Sequence, residues 1–154
     1  YNMKKVKGIF ICLFTLILIN SCGFKPIYSS NNLNLKLNNI NFQPSKLNNQ
    51  INRSIKSFSN PKGLKIYDIN FDTQKEKRTV SKDSKGNTEA YELKINLNMS
   101  IMSEGKKFTK NFVNKVKYNN NDNKYELKQY EIEIEKQIVA DLIGDIVIFF
   151  SEIK

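Results

Sequence analysis

The side chains able to do covalent or acid–base chemistry are few in this 154-residue sequence. There are two cysteines, Cys12 and Cys22, and no histidine. Histidine is the commonest general base and the commonest metal ligand, so its absence weighs against hydrolase and metalloenzyme chemistry. Two cysteines are too few for a Cys₄ zinc site or a multi-disulfide framework. The carboxylates are scattered. Asp141 and Asp145 are four apart in a helical pattern and share a face. Asp68 and Asp72 share one side of a strand pattern. Neither pair has a neighbour in the sequence that would perturb it, so both read as solvated surface positions. Gly86 and Gly105 sit in turn sequences, and no glycine-rich phosphate loop occurs. The expectation is a non-enzymatic protein without a metal or a dissociable cofactor.

Cys22 takes its meaning from what precedes it. Lys4, Lys5 and Lys7 follow Met3, which is read as the start, and they form a positive n-region. Residues 8–19, GIFICLFTLILI, are uninterruptedly apolar. A helix of that length covers about 18 Å at ~1.5 Å per residue, short of a hydrocarbon core of ~30 Å. The run therefore reads as the h-region of a secretory signal over residues 1–21. Ile19-Asn20-Ser21-Cys22 then resembles a bacterial lipobox: an aliphatic residue at −3, a small one at −1 and the cysteine to be lipidated. Asn20 departs from the small residue usual at −2, and ordinary cleavage nearby, leaving a free thiol, is the alternative. Lipidation would leave a tethered chain, 22–154, with no free cysteine and hence no disulfide. Its formal charge falls from +10 to +7 with the loss of the three leader lysines.

The remaining positive charge clusters near two turns. Lys75, Lys77, Arg78, Lys82 and Lys85 surround the sequence DSKGN, and Lys106, Lys107 and Lys110 surround SEGKK. Such clusters attract polyanions by Coulomb forces and counterion release. A secreted, tethered chain meets phosphorylated lipid headgroups rather than nucleic acid. The competing reading is compositional: Asn and Lys are abundant throughout, as AT-rich codon usage would make them.

These residues must be positioned by regular elements, which the hydrophobic periodicity locates. After a linker over 22–32, Leu33, Leu35 and Leu37 alternate, and the phase shifts at Ile40 and Phe42, which predicts a strand with a bulge or a change of face. Ser45 is the expected N-cap of a helix whose face is Leu47, Ile51, Ile55 and Phe58. A strand opens at residue 64 with Tyr67, Ile69 and Phe71 on one side, then turns polar and basic. Residues 89–103 alternate most cleanly, from Tyr91 to Ile101 at every second position. A strand over 108–118 and a long helix over about 125–152 complete the chain, the helix capped by Asp122 or Asn123. The second half of that helix is apolar on most sides, which places it deep against the sheet; the alternative is that its extra apolar surface docks a partner. The order β-α-β-β-β-α predicts an α+β two-layer sandwich over 33–154, with two helices on one face of a small, about four-stranded, mainly antiparallel sheet.

Cys22-Gly23-Phe24-Lys25-Pro26-Ile27-Tyr28 resembles the start of mature LptE-family proteins, the outer-membrane lipoproteins of lipopolysaccharide assembly. Those commonly begin Cys-Gly-Phe/Tyr-x-Pro/Leu-Leu-Tyr, and the expected element order is similar to the family's over most of 22–154. The resemblance implies an outer-membrane, periplasm-facing subunit that plugs the LptD β-barrel, helps it assemble and binds lipopolysaccharide. Gly23, rather than Asp, after the lipidated cysteine agrees with that sorting. By the same resemblance, the candidate lipopolysaccharide-binding residues are Lys77, Arg78, Lys82 and Lys85. The alternative is an envelope lipoprotein that binds anionic glycolipid or another assembly machine without an LptD partner.

Overall fold

A computed structural model describes residues 34–153. The signal segment, Cys22, the linker and the Cys22–Tyr28 motif lie outside the described residues. The elements follow the expected order: β1 (Leu35–Phe42), α1 (Lys46–Lys56), β2 (Lys65–Lys82), β3 (Thr88–Ser103), β4 (Lys106–Asn119) and α2 (Lys124–Glu152). The four strands form one sheet in the order β1-β2-β3-β4. β1 runs parallel to β2, while the β2–β3 and β3–β4 pairs are antiparallel hairpins.

The phase shift in β1 is a bulge, not a change of face. The register slips between Leu37 and Ile40, so odd Leu35 and Leu37 and even Ile40 and Phe42 lie opposite the odd residues Lys65, Tyr67, Ile69 and Phe71. Asp68 closes the bulge: its Oδ1 accepts from Asn38 Nδ2 at 2.9 Å, Asn39 N at 3.1 Å and Asn39 Nδ2 at 2.9 Å. Its neighbour in the carboxylate pair, Asp72, accepts from Asn48 Nδ2 at 3.0 Å. Both acids therefore join β1 and α1 to β2, which is structural work.

One face of the sheet carries the core. Leu93, Ile95, Leu97, Met99 and Ile101 of β3 are buried with Tyr67, Ile69 and Phe71 of β2 and with Phe112 and Tyr118 of β4. Ile51 and Ile55 of α1 and Ile134, Ile138, Leu142, Ile146 and Phe150 of α2 close over them. A Leu or Ile buried this fully contributes about 1.5–3 kcal/mol. Ser45 and Asn123 cap the two helices, with Ser45 Oγ accepting from Asn48 N and Asn123 Oδ1 from Tyr125 N and Glu126 N. In α2 the apolar second half is largely internal, with Val139, Leu142, Ile143, Gly144 and Ile146 all buried. Among the described residues, no helix is long and apolar enough to cross a membrane.

β2 fills almost the whole of the expected 64–82 segment. It stays extended to Lys82 despite the polar and basic sequence after Phe71, because β3 pairs with it along that whole length. β1 stops at Phe42, so β2 beyond Phe71 is an edge with a strand on one side only. The β2–β3 hairpin thereby projects past β1.

Candidate functional site

The projecting hairpin carries the four sequence candidates, and the pleat divides them. Lys77 lies on the helix-facing side, Arg78 on the outer side, and Lys82 and Lys85 at the tip. Successive residues of a strand alternate in direction, so adjacent Lys77 and Arg78 cannot share a face.

Lys77 is held in place. Its Nζ donates to Glu131 Oε1 of α2 at 2.5 Å and stands 3.9 Å from the centroid of the Tyr91 ring. Tyr118 Oη donates to the same Glu131 oxygen at 2.8 Å, and Lys75 Nζ reaches Glu135 at 2.7 Å. Burial pushes the Glu131 carboxyl upward, but hydrogen bonds from Lys77 and Tyr118 outweigh it, and the net shift is below the ordinary value of 4.5. Burial, then the hydrogen bond to Glu131, pushes the Tyr118 hydroxyl well above its ordinary range. These contacts fasten the hairpin edge to α2.

Arg78 is tied differently. Its Nε and Nη2 lie 2.9 Å and 2.8 Å from Glu92 Oε1. The Glu92 side chain is 1% exposed and the Arg78 side chain 56%. Glu92 Oε2 has no hydrogen-bond partner among the described residues. The buried carboxylate thus fixes the base of an exposed guanidinium, leaving its other donors toward solvent.

The register adds cations that the linear sequence did not assemble. Across the outer face, Glu76 pairs with Lys94 and Lys94 with Lys115; Arg78 pairs with Glu92 and Glu92 with Lys117. Arg78, Lys94, Lys115 and Lys117 therefore form a cationic band across three strands, set against Glu76 and Glu92. Alternation alone shows which side each faces; only the register shows that they are neighbours.

The tip is a rigid turn. Asp83 Oδ1 accepts from Lys85 N at 2.9 Å and Asn87 N at 2.8 Å, and Oδ2 from Asn87 Nδ2 at 2.9 Å. The Asn87 side-chain bond, followed by its backbone bond, lowers the Asp83 carboxyl below its ordinary value. Gly86 takes φ +85 there, a conformation that L side chains rarely adopt. The turn presents Lys82 and Lys85 to solvent without an ion-pair partner among the described residues.

A groove of about 700 Å³ at the same end of the molecule is lined by Asn119–Asp122, Glu126, Leu127 and Tyr130. Its charged side chains are acids, so it is unsuited to an anion. Asp141 and Asp145 are exposed on α2, and Asp141 Oδ2 accepts from Asn114 Nδ2 at 3.2 Å. Among the described residues there is no group of three His, Cys, Asp or Glu that could hold a metal. What the hairpin can do chemically is attract and hydrogen-bond anionic groups.

No family model and no curated protein matches the sequence. Solved structures do match. Rare lipoprotein B from Shewanella oneidensis superposes with a TM-score of 0.57 at 15% identity, over 75% of this chain and 96% of that one. An uncharacterised lipoprotein B from Nitrosomonas europaea gives 0.56 at 16% identity, over 74% and 83%. A minor lipoprotein from Acinetobacter baumannii gives 0.54 at 14% identity, over 72% and 86%. The chain is α+β and shares the fold of these bacterial lipoproteins.

Proposed function

We propose that this protein is a lipid-anchored envelope lipoprotein of the LptE kind, a non-enzymatic subunit of the lipopolysaccharide translocon. In this reading Cys22 carries the lipid, the domain sits on the periplasmic side of the outer membrane, and it plugs an LptD-like β-barrel. The observation that carries the reading is a lipobox-like cysteine, opening the Cys-Gly-Phe-x-Pro-x-Tyr motif, directly upstream of a domain with a bacterial lipoprotein fold. The hairpin supports the ligand class: Arg78, Lys82 and Lys85 offer exposed cations to phosphorylated saccharide, joined by Lys94, Lys115 and Lys117. Lys77 must leave Glu131 and the Tyr91 ring to take part.

Affinity purification of the tagged, lipidated protein from its own envelope tests the partnership. A large β-barrel protein should co-purify, and its absence would overturn the plug assignment. Lys82→Glu with Lys85→Glu should weaken lipopolysaccharide binding several-fold without touching the core. Unchanged binding would support a compositional origin for the charge.

A further inference from the structure

The chain enters the fold at the end of the sheet opposite the hairpin tip. Asn34 stands there, its carbonyl accepting from Lys65 N at 3.4 Å and its Oδ1 from Leu64 N at 3.0 Å. The β3–β4 turn and the C-terminal end of α2 meet at the same end, where Lys65 Nζ lies 3.5 Å from the Ile153 carbonyl.

Three large apolar side chains are exposed at this end: Leu64 at 83%, Ile66 at 52% and Met102 at 42%. Ile66 and Met102 share the outer side of the sheet, Leu64 lies just before β2, and lysines are interleaved with them. Lys36 is the register partner of Ile66, and Lys107 that of Met102. Lys62 is exposed in the adjoining loop, while Lys106, the first residue of β4, lies on the helix-facing side with Phe108. Three acids stand nearby: Glu104 is exposed in the turn, Asp68 is the register partner of Met102 and accepts from the neutral side chains of Asn38 and Asn39, and Glu152 faces Lys110 at 3.7 Å. Apolar residues ringed by lysines are the composition of a surface that rests in an anionic lipid interface.

We propose that this end of the sheet is a membrane-docking surface, seated on a bilayer containing anionic phospholipid. The proposal rests on the anchored-lipoprotein reading above and adds a contact that the anchor alone does not supply. Cys22 is 12 residues before Asn34, a span of at most about 40 Å. The patch around Asn34 is therefore within reach of the surface holding the anchor. Seating it there stands the sheet upright, because β2 runs 18 residues from this end to the tip, about 55 Å. The cationic hairpin is then held far from the leaflet that holds the lipid.

The test uses the chain from residue 22 with Cys22→Ser, which retains the entire described core. Co-sedimentation is measured with phosphatidylglycerol–phosphatidylcholine vesicles and with phosphatidylcholine alone. Binding should require the anionic lipid and fall with added salt. Lys62→Glu with Lys107→Glu should weaken it by about tenfold or more. Leu64→Ser with Ile66→Ser should weaken it several-fold. Lys82→Glu with Lys85→Glu should leave it within about twofold, because the tip lies at the far end. Absent binding, equal binding to neutral vesicles, or equal loss from the tip variant would overturn the proposal. So would patch variants that lose a co-purifying barrel protein yet bind vesicles normally. Mass spectrometry of the native mature N-terminus separates the two readings: a bare Cys22 would sink the anchor and leave the vesicle result to stand by itself.

Discussion

Replacing Arg78 with alanine removes the Nε hydrogen bond to Glu92 Oε1 at 2.9 Å and the Nη2 ion-pair contact to the same oxygen at 2.8 Å. Glu92 Oε2 has no partner among the described residues, so the carboxylate would keep neither oxygen satisfied by protein. Breaking a fully buried ion pair costs about 3–5 kcal/mol. Here the Arg78 side chain is 56% exposed, so water can enter the vacated space, and we expect about 2 kcal/mol. Glu92→Gln keeps an acceptor for the guanidinium and removes the buried charge, which should cost about 1 kcal/mol. In that background Arg78→Ala should cost only about 0.5 kcal/mol more, giving a coupling of about 1.5 kcal/mol. Urea unfolding followed by circular dichroism measures all four corners of the cycle, and Arg78→Ala alone should lower the midpoint by roughly 1 M. Additive single costs, or an Arg78→Ala cost under about 0.5 kcal/mol, would refute the idea that the guanidinium satisfies a buried carboxylate. The outcome bears on function, because any loss of anion binding in an Arg78 variant must be separated from a loss of fold. Lys82 and Lys85 have no such structural duty.

Four further expectations follow from particular contacts. A Cβ on Gly63 would fall on the Leu35 backbone, 2.7 Å from its carbonyl oxygen, so Gly63→Ala should destabilise by about 2 kcal/mol or more in the same unfolding assay. Leu97 is wholly buried at the centre of the sheet, and Leu97→Ala should cost about 2–5 kcal/mol. Glu131 is held below its ordinary 4.5, so its stabilisation is complete above that pH and is lost as pH falls through the folded value. Thermal midpoints of Glu131→Gln should accordingly fall less on acidification than those of the parent, and parallel curves would count against the Lys77–Glu131–Tyr118 cluster. Cys22→Ser in the full chain should abolish acylation, read as loss of label from radioactive palmitate.

Charge on the hairpin was easy to find in the sequence and hard to place. Lys77 and Arg78 are neighbours in the chain, yet they face opposite sides because the strand does not end at Phe71. The residues after Phe71 carry no apolar alternation to mark a strand; pairing with β3 makes them one. The partners that hold Lys77, namely Glu131 and Tyr91, are 54 and 14 positions away. The carboxylate under Arg78 is likewise invisible beforehand, since a glutamate on the outer side of an alternating strand is expected to be wet. Glu92 is dry because Arg78 and Lys117 stand across from it on the neighbouring strands.

Local physics accounts for what the sequence determined by itself. The alternation from Tyr91 to Ile101, the Leu47–Ile51–Ile55 stripe, the cap at Ser45 and the turns at Gly86 and Gly105 depend on residues close in the chain and are found where that chemistry puts them, and of the two expected caps of α2, Asp122 and Asn123, it is Asn123 that caps. Tertiary structure alone decided what depends on register and on closure between distant segments. It made the slip in β1 a bulge clasped by Asp68, carried β2 out to Lys82, gathered Arg78, Lys94, Lys115 and Lys117 into one band, and set Leu64, Ile66 and Met102 among lysines at the far end. Register is a cooperative outcome of the whole sheet burying one face, and no short window of residues contains it.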